Sequence, residues 1–170
     1  MTENTEPRDP LVDHLEDLAD REDRATLALL RGSLAEGRRL DALRVVLPFA
    51  PRDVPWRDRA EDDAMLLAGL FALHPESGPR SLAAALAEIA RTSDSVELRF
   101  RALLGVSRAD LPTHLRHAVA LAASHKLSID WRDLHRTIRF WEADDDRARR
   151  RWARDFWNSS ATADAAPSAT

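Results

Sequence analysis

The sequence predicts an all-α protein built from two small packed helical bundles. Residues that favour strands are scarce: the 170-residue chain has no tyrosine, and its isoleucines are confined to Ile89, Ile129 and Ile138. Alanine, leucine and arginine fill much of the chain instead, and all three favour helices because they lose little side-chain freedom there. A chain of this length has room for one or two compact units.

The first predicted unit covers residues 10–92. Asp9 and Pro10 are typical of an N-cap followed by the first helical residue, where the missing N–H of proline costs nothing. Apolar spacing predicts a helix from Pro10 and further helices over 21–31, 38–47, 58–73 and 81–91, with a proline-rich extended connection over 49–56. Gly32, Pro48 and Pro75 mark three of the helix ends.

The second predicted unit covers residues 93–158 and begins in a polar stretch around Thr92. Three residue pairs in it resemble capping boxes, in which an acceptor precedes a carboxylate by three positions. These pairs are Asp94 with Glu97, Ser107 with Asp110, and Asp130 with Asp133. A last helix is predicted from about Asp145 to Trp157. Residues 1–9 and the Ala/Ser/Thr-rich residues 159–170 are predicted to be disordered.

Charge is distributed unevenly along the chain, whose net charge is −4. Residues 1–94 carry nineteen acidic against twelve basic side chains, whereas residues 95–158 carry nine against thirteen. Lys126 is the only lysine, so arginine supplies nearly all of the positive charge. Arginine suits phosphate contact because its planar guanidinium binds oxygens in pairs. A GC-rich genome would give the same arginine bias without any such function.

No recognisable catalytic motif occurs in the sequence. There is no Gly-rich phosphate loop, no Gly-flanked serine and no cysteine, so we expect neither an enzyme nor a cofactor. His114 and His117 lie three apart on a predicted helix, but lack the further ligands that a metal site needs. The acidic run 144–146 is interpreted as first-turn carboxylates that complement the positive end of a helix. Trp131, Trp141 and Trp152 recur at helical spacing and are predicted to be buried.

Arginines at the borders of the predicted helices are the remaining candidates for function. Arg99, Arg116, Arg136 and Arg139 each lie one or two residues from an apolar core position. Such arginines often only pack their stems against the core and keep their charge in water. Taken together, they could instead follow the regularly spaced phosphates of a nucleic-acid strand without reading its bases.

The order of several segments resembles the CasB family, the small subunit of the type I-E CRISPR surveillance complex Cascade. The resemblance extends over about residues 10–157, and no single segment is diagnostic. The segments are Leu30-Arg31-Gly32, Pro48-Phe49, Trp56-Arg57, residues 66–73, residues 95–104, residues 114–121, Ile129-Asp130-Trp131, Arg139-Phe140-Trp141 and residues 152–156.

The resemblance implies a non-catalytic subunit of two helical bundles, with two copies arranged head to tail in the complex. It implies contacts with the backbone and large subunits, with the crRNA–target DNA duplex and with the displaced DNA strand. The positions that match the family's basic residues, and are expected to bind nucleic acid, are Arg31, Arg57, Arg99, Arg116, Arg139 and Arg147, with Arg59 as an alternative to Arg57.

Two other interpretations stay open at this point. The protein could be a scaffold that binds only proteins, or a metal-dependent nuclease built on His114, His117 and the acidic run 144–146. No apolar stretch approaches the roughly 20 residues of a membrane helix, and the polar N-terminus does not resemble a signal peptide. We therefore expect a cytoplasmic protein that does not contact a membrane.

Overall fold

The computed structural model describes residues 8–164, the side chains of 160–164 excepted. Within that range the chain forms nine α-helices and no β-strand, which confirms the all-α prediction. Two short 3₁₀ turns, Arg39–Ala42 and Leu47–Phe49, flank the third helix. The helices are α1 (Pro10–Asp20), α2 (Arg24–Gly32), α3 (Leu43–Val46), α4 (Arg57–Leu73), α5 (Leu82–Ala90), α6 (Asp94–Gly105), α7 (Leu111–Ser124), α8 (Trp131–Arg139) and α9 (Arg147–Asp164).

The first compact unit of the structure ends at Pro75 and contains α1 to α4. Asp9 caps α1 as predicted, because its Oδ1 accepts hydrogen bonds from the N–H groups of Leu11 and Val12 at 3.1 and 3.2 Å. Helix α4 packs against α1, α2 and α3. The predicted single helix over 38–47 is instead α3 with its two flanking 3₁₀ turns, and Pro48 lies within the second turn rather than after it.

The second compact unit begins at Glu76 and contains α5 to α9. Helix α5 packs against α6, α7 and α9, and its buried alanines allow close approach of these neighbours. Trp131, Trp141 and Trp152 are all less than 2% exposed, which confirms their predicted burial. The boundary between the units thus lies between residues 75 and 76, not between 92 and 93, because the apolar face of α5 is covered by helices that follow it.

Loop residues at the start of the second unit are hydrogen-bonded to the segment that precedes α8. Gly78 N–H donates to the Ile129 carbonyl at 3.0 Å, and Ile129 N–H donates to the Glu76 carbonyl at 3.3 Å. Trp131 Nε1 donates to the same Glu76 carbonyl at 3.2 Å. Residues 76–80 are therefore tied to a segment far along the chain.

One of the three predicted capping boxes forms a helix cap. Asp130 Oδ1 accepts from the N–H of Asp133 at 2.9 Å at the start of α8. Helix α6 begins at Asp94 itself, and its N-cap residue makes no capping hydrogen bond through its side chain. The hydroxyl of Ser107 donates to Asp110 at 2.9 Å, but α7 begins only after Asp110.

Helix α9 differs from its predicted bounds at both ends. It begins at Arg147, so the acidic run 144–146 precedes the helix rather than forming its first turn. The backbone N–H of Arg147 donates to Asp145 Oδ1 at 3.1 Å, and this hydrogen bond lowers the pKa of Asp145. At its other end α9 continues to Asp164, so residues 159–164 of the predicted disordered tail are helical. Residue 9 of the predicted disordered N-terminus is the ordered cap of α1. The predicted disorder at 1–7 and 165–170 lies outside the described residues.

None of the described helices combines the length and the apolar composition needed to span a bilayer.

Candidate nucleic-acid interface

The six arginines predicted to bind nucleic acid are all exposed, but the structure divides them between the two units. Arg31 and Arg57 belong to the first unit, and the other four belong to the second. The six differ in the hydrogen bonds and ion pairs that their guanidinium groups already make with neighbouring residues. The four in the second unit are Arg99 on α6, Arg116 on α7, Arg139 at the end of α8 and Arg147 at the start of α9.

Arg31 supports the end of α4. Its Nε donates to the carbonyl of Ala72 at 3.0 Å. Because α4 ends at Leu73, the Ala72 carbonyl is one of the last four in the helix and lacks a partner within it. Arg31 therefore has a structural role, and its exposed remaining nitrogens are left for other contacts.

Arg57 is the first residue of α4 and lies among carboxylates. Its Nε is 3.5 Å from Asp58 Oδ1 and 3.8 Å from Glu61 Oε1. These two acids reduce the positive potential around Arg57 and compete with phosphate for its guanidinium. Arg59, the predicted alternative, is exposed on the same helix.

Arg99 and Arg116 differ from the other predicted arginines in the contacts of their guanidinium groups. Both are exposed, and neither guanidinium has a hydrogen bond or an ion pair with any residue in the described range. Arg101, also on α6, differs because it pairs with Glu97 at 3.0 Å. Arg99 also borders a cavity between α6 and α7 whose polar lining includes His114 and His117.

Arg139 and Arg147 lie in the region where α8 ends and α9 begins. The guanidinium carbon of Arg139 is 5.5 Å from the centre of the Phe140 ring. Arg147 pairs with Asp145, with Nη2 and Oδ2 2.7 Å apart. A cavity of about 470 Å³ brings Arg147 together with two arginines outside the predicted set, and with two carboxylates of the acidic run. These lining residues are Arg136, Arg151, Asp144 and Asp145.

Three arginines of the second unit make contacts that stabilise the unit itself. Arg108 donates through Nη1 to the carbonyl of Ile138 at 3.0 Å. Arg149 donates through Nε to the carbonyl of Trp141 at 3.0 Å and lies over that indole at 5.0 Å. Arg151 pairs with the buried Asp133 at 2.8 Å. Sequence reasoning missed these roles because each depends on a carbonyl or carboxylate that tertiary packing brings close.

Asp133 is a buried carboxylate whose pKa is raised. Burial raises the pKa above the ordinary value of 3.8, while Arg151 and the Trp152 indole N–H, 3.1 Å from Oδ2, act in the opposite direction. Asp133 faces Arg151, Trp152 and the start of its own helix, rather than an open site. We interpret it as part of the link between α8 and α9.

The groups named in the nuclease interpretation do not come together in the described part of the chain. His114 and His117 border the cavity beside Arg99, whereas Asp144 and Asp145 border the other cavity. Among the side chains of residues 8–159, no group of three or more His, Asp or Glu is arranged to hold a metal ion.

Known proteins resemble this chain in sequence. Residues 23–157 match the family model described as CRISPR-associated protein Cse2. A CRISPR-associated protein Cse2 from Thermus thermophilus is 35% identical over 142 residues, which are 81% of this chain and 82% of that protein.

Solved structures resemble the chain in fold as well. The crystal structure of a Cse2-family protein from Thermus thermophilus has a TM-score of 0.75 at 30% identity, covering 89% of this chain and 99% of that one. A crystal structure of CasB from Thermus thermophilus has a TM-score of 0.70 at 29% identity, covering 89% and 99%. One chain of a CRISPR RNA-guided surveillance complex has a TM-score of 0.69 at 25% identity, covering 92% and 94%. The predicted resemblance is thereby confirmed: the chain belongs to the CRISPR-associated Cse2 family, which includes CasB.

Proposed function

We propose that this chain is a non-catalytic small subunit of a CRISPR RNA-guided DNA surveillance complex of the Cascade type, acting in the cytoplasm in antiviral defence. In this role it stabilises the R-loop, the state in which guide RNA pairs with target DNA and the other DNA strand is displaced. Family membership supports the proposal, as does the fold similarity to a chain of such a complex.

The main support for nucleic-acid binding is the exposure of Arg99 and Arg116, together with the lack of partners for their guanidinium groups in the described range. Two exposed guanidinium groups on neighbouring helices, without partners in the described range, can bind phosphate without first breaking an ion pair. Each phosphate contact releases condensed counterions and holds the strand regardless of its sequence. Opening DNA against guide pairing is nearly balanced in free energy, so a few such contacts shift it.

The proposed contacts differ in strength among the six arginines. Arg99 and Arg116 are expected to contribute most. Arg57 and Arg147 must first give up carboxylate partners. The proposed partners are the backbone and large subunits, a second copy of this chain arranged head to tail, the crRNA–target duplex and the displaced strand.

The test uses the assembled complex with the double substitution Arg99→Ala and Arg116→Ala. We expect about tenfold weaker capture of double-stranded target, the effect of losing about 1.4 kcal/mol of backbone contact. Arg101→Ala is the matched control, because that exposed arginine of α6 already pairs with Glu97. Circular dichroism verifies folding of each variant. Target capture by the folded double variant at the wild-type level would contradict the assignment of these two residues.

A protein-only scaffold is the second candidate function. The observation that favours it is the exposure of large apolar side chains on the second unit, which would suit contacts with neighbouring subunits. Leu98 is 67% exposed and Phe140 is 47% exposed. Binding to single-stranded DNA that weakens as salt rises separates the two functions.

A further inference from the structure

A cavity of about 220 Å³ lies between α6 and α7, beside Arg99. Its lining reaches the surface at Arg99, Ala102 and His117, which are exposed. Among the described residues that line it, none is acidic. The interior is formed mainly by apolar groups, among them Leu86, Phe100 and Leu121, and the polar groups are an arginine and two histidines.

The size of the cavity matches a single six-membered ring with substituents. An apolar cavity of about 150 Å³ is known to take up benzene, so about 220 Å³ leaves room for the exocyclic groups of a pyrimidine. Histidine nitrogens can donate to or accept from the polar edge of such a base. One face of the Phe100 ring is stacked on Phe156, with ring centres 4.1 Å apart, so that face is not available to a base.

The charge at the cavity mouth favours a nucleotide over an apolar side chain of another protein. An aliphatic side chain would gain no charge interaction with Arg99, whereas a base in the cavity carries a phosphate next to it. The Arg99 guanidinium has no partner in the described range and is suited to binding two phosphate oxygens. We propose that this cavity binds one unstacked pyrimidine base of a single strand, with Arg99 on its phosphate; the identity of the strand rests on the proposed function.

The experiment is an NMR titration of the full chain with thymidine 5′-monophosphate, up to about 10 mM, because single nucleotides bind weakly. The ring signals of His114 and His117, assigned with His114→Gln and His117→Gln, are expected to shift in a saturable way. Inorganic phosphate and thymidine are titrated separately. Both are expected to cause smaller shifts, since each supplies only part of the contact.

The variant Ala102→Phe fills the cavity from its exposed rim and is expected to abolish saturation. Its matched control is Ala25→Phe, an exposed helical alanine of the first unit, which should leave binding unchanged. Unshifted histidine signals, equal shifts with phosphate alone, or normal binding by Ala102→Phe would each overturn the proposal. Saturable binding of p-cresol without binding of the nucleotide would also overturn it, in favour of a protein side chain.

This experiment contains no strand and no other subunit. Its failure would leave the stabilisation of the R-loop by Arg99 and Arg116 intact. Conversely, loss of the R-loop function in the assembled complex would not alter whether the mononucleotide saturates the cavity. The two results are therefore distinguishable.

Discussion

Arg151 connects α9 to α8 through a buried carboxylate. Its Nη2 lies 2.8 Å from Asp133 Oδ1 and 2.7 Å from Thr137 Oγ1, and Trp152 Nε1 donates to the same carboxylate. The Nε of Arg151 is buried and has no hydrogen-bond partner in the described structure. Such a pair contributes little net stability when complete, but leaves a costly buried charge when one member is removed.

The substitution Arg151→Ala tests this contact. Removal of the guanidinium leaves Asp133 buried without its cation, so we expect the free energy of unfolding to fall by about 2–4 kcal/mol at pH 7. Urea denaturation measures this. The neighbouring exposed Arg150→Ala is the control and should change stability by less than about 0.5 kcal/mol. Equal stability of the two variants would show that the Arg151–Asp133 contact does not connect these helices.

A second prediction concerns pH. The raised pKa of Asp133 means that the folded chain binds this proton more tightly than the unfolded chain. The stability that results is present below pH 3.8 and is lost as pH rises through the raised pKa. We therefore expect the free energy of unfolding of the wild type, minus that of Asp133→Asn, to fall between about pH 4 and pH 7. Urea denaturation of both proteins across this range gives the difference, and a difference that rises with pH would refute the assignment.

Sequence alone indicates which arginines stand at helix borders, but not what each one contacts. Arg31 and Arg99 both lie beside apolar residues of their helices. Arg31 nevertheless donates to a carbonyl 41 positions away, while Arg99 has no such partner in the described chain. The difference arises from tertiary packing, which brings the end of α4 to Arg31.

Helix α8 is a case in which the predicted N-cap forms. Asp130 lies outside the first turn in extended backbone, so its carboxylate can accept from the Asp133 N–H. Asp94 has the same spacing to an acid, yet it is already a helical residue and cannot cap its own helix. The spacing is visible in both cases, whereas the backbone conformation that decides the outcome is not.

The corresponding prediction compares the two aspartates. Asp130→Ala should lower the free energy of unfolding by about 1 kcal/mol, the usual contribution of an N-cap. Asp94→Ala should cost about 0.3 kcal/mol, because it loses only the interaction of a first-turn acid with the helix dipole. Thermal or urea unfolding of both variants measures the difference. Equal losses would mean that the hydrogen bond to the Asp133 N–H contributes no stability.

Helix α5 lies where apolar periodicity predicts it. The polar stretch around Thr92 suggests that α5 packs with the first unit, but it packs with helices of the second unit. Periodicity identifies Leu82, Leu86 and Ile89 as one apolar face, and all three are buried. It does not reveal which helices cover that face. The covering helices, α6, α7 and α9, all come later in the chain, so a boundary drawn from local polarity falls after α5 rather than before it.

For the whole molecule, the division at Pro75 preserves the contrast in charge, but the two net charges differ less than those on either side of residue 94. Residues 1–75 carry sixteen acidic and ten basic side chains, whereas residues 76–170 carry thirteen and fifteen. The proposed phosphate contacts at Arg99 and Arg116 lie in the unit with the positive balance. An acidic first unit favours contacts with proteins over contacts with nucleic acid, since it repels phosphate.

This contrast predicts salt-dependent binding of the full chain to labelled single-stranded DNA, measured by fluorescence anisotropy. Each arginine contact that is removed should reduce the slope of log affinity against log salt by about 0.7. Arg99→Ala and Arg116→Ala should each show this reduction, while Arg57→Ala should show little. Absence of binding by the wild type even at low salt would favour the protein-only scaffold.

The second unit joins segments that are far apart in the chain, since residues 76–80 are hydrogen-bonded to residues 129–131. Its first helix, α5, packs most extensively against its last, α9, so the packing of α5 is complete only after α9 has been synthesised. The first unit closes within 75 residues and can fold earlier. The nascent chain therefore exposes the part of α5 that α9 covers until α9 emerges, whereas α6 and α7 can pack against α5 before then.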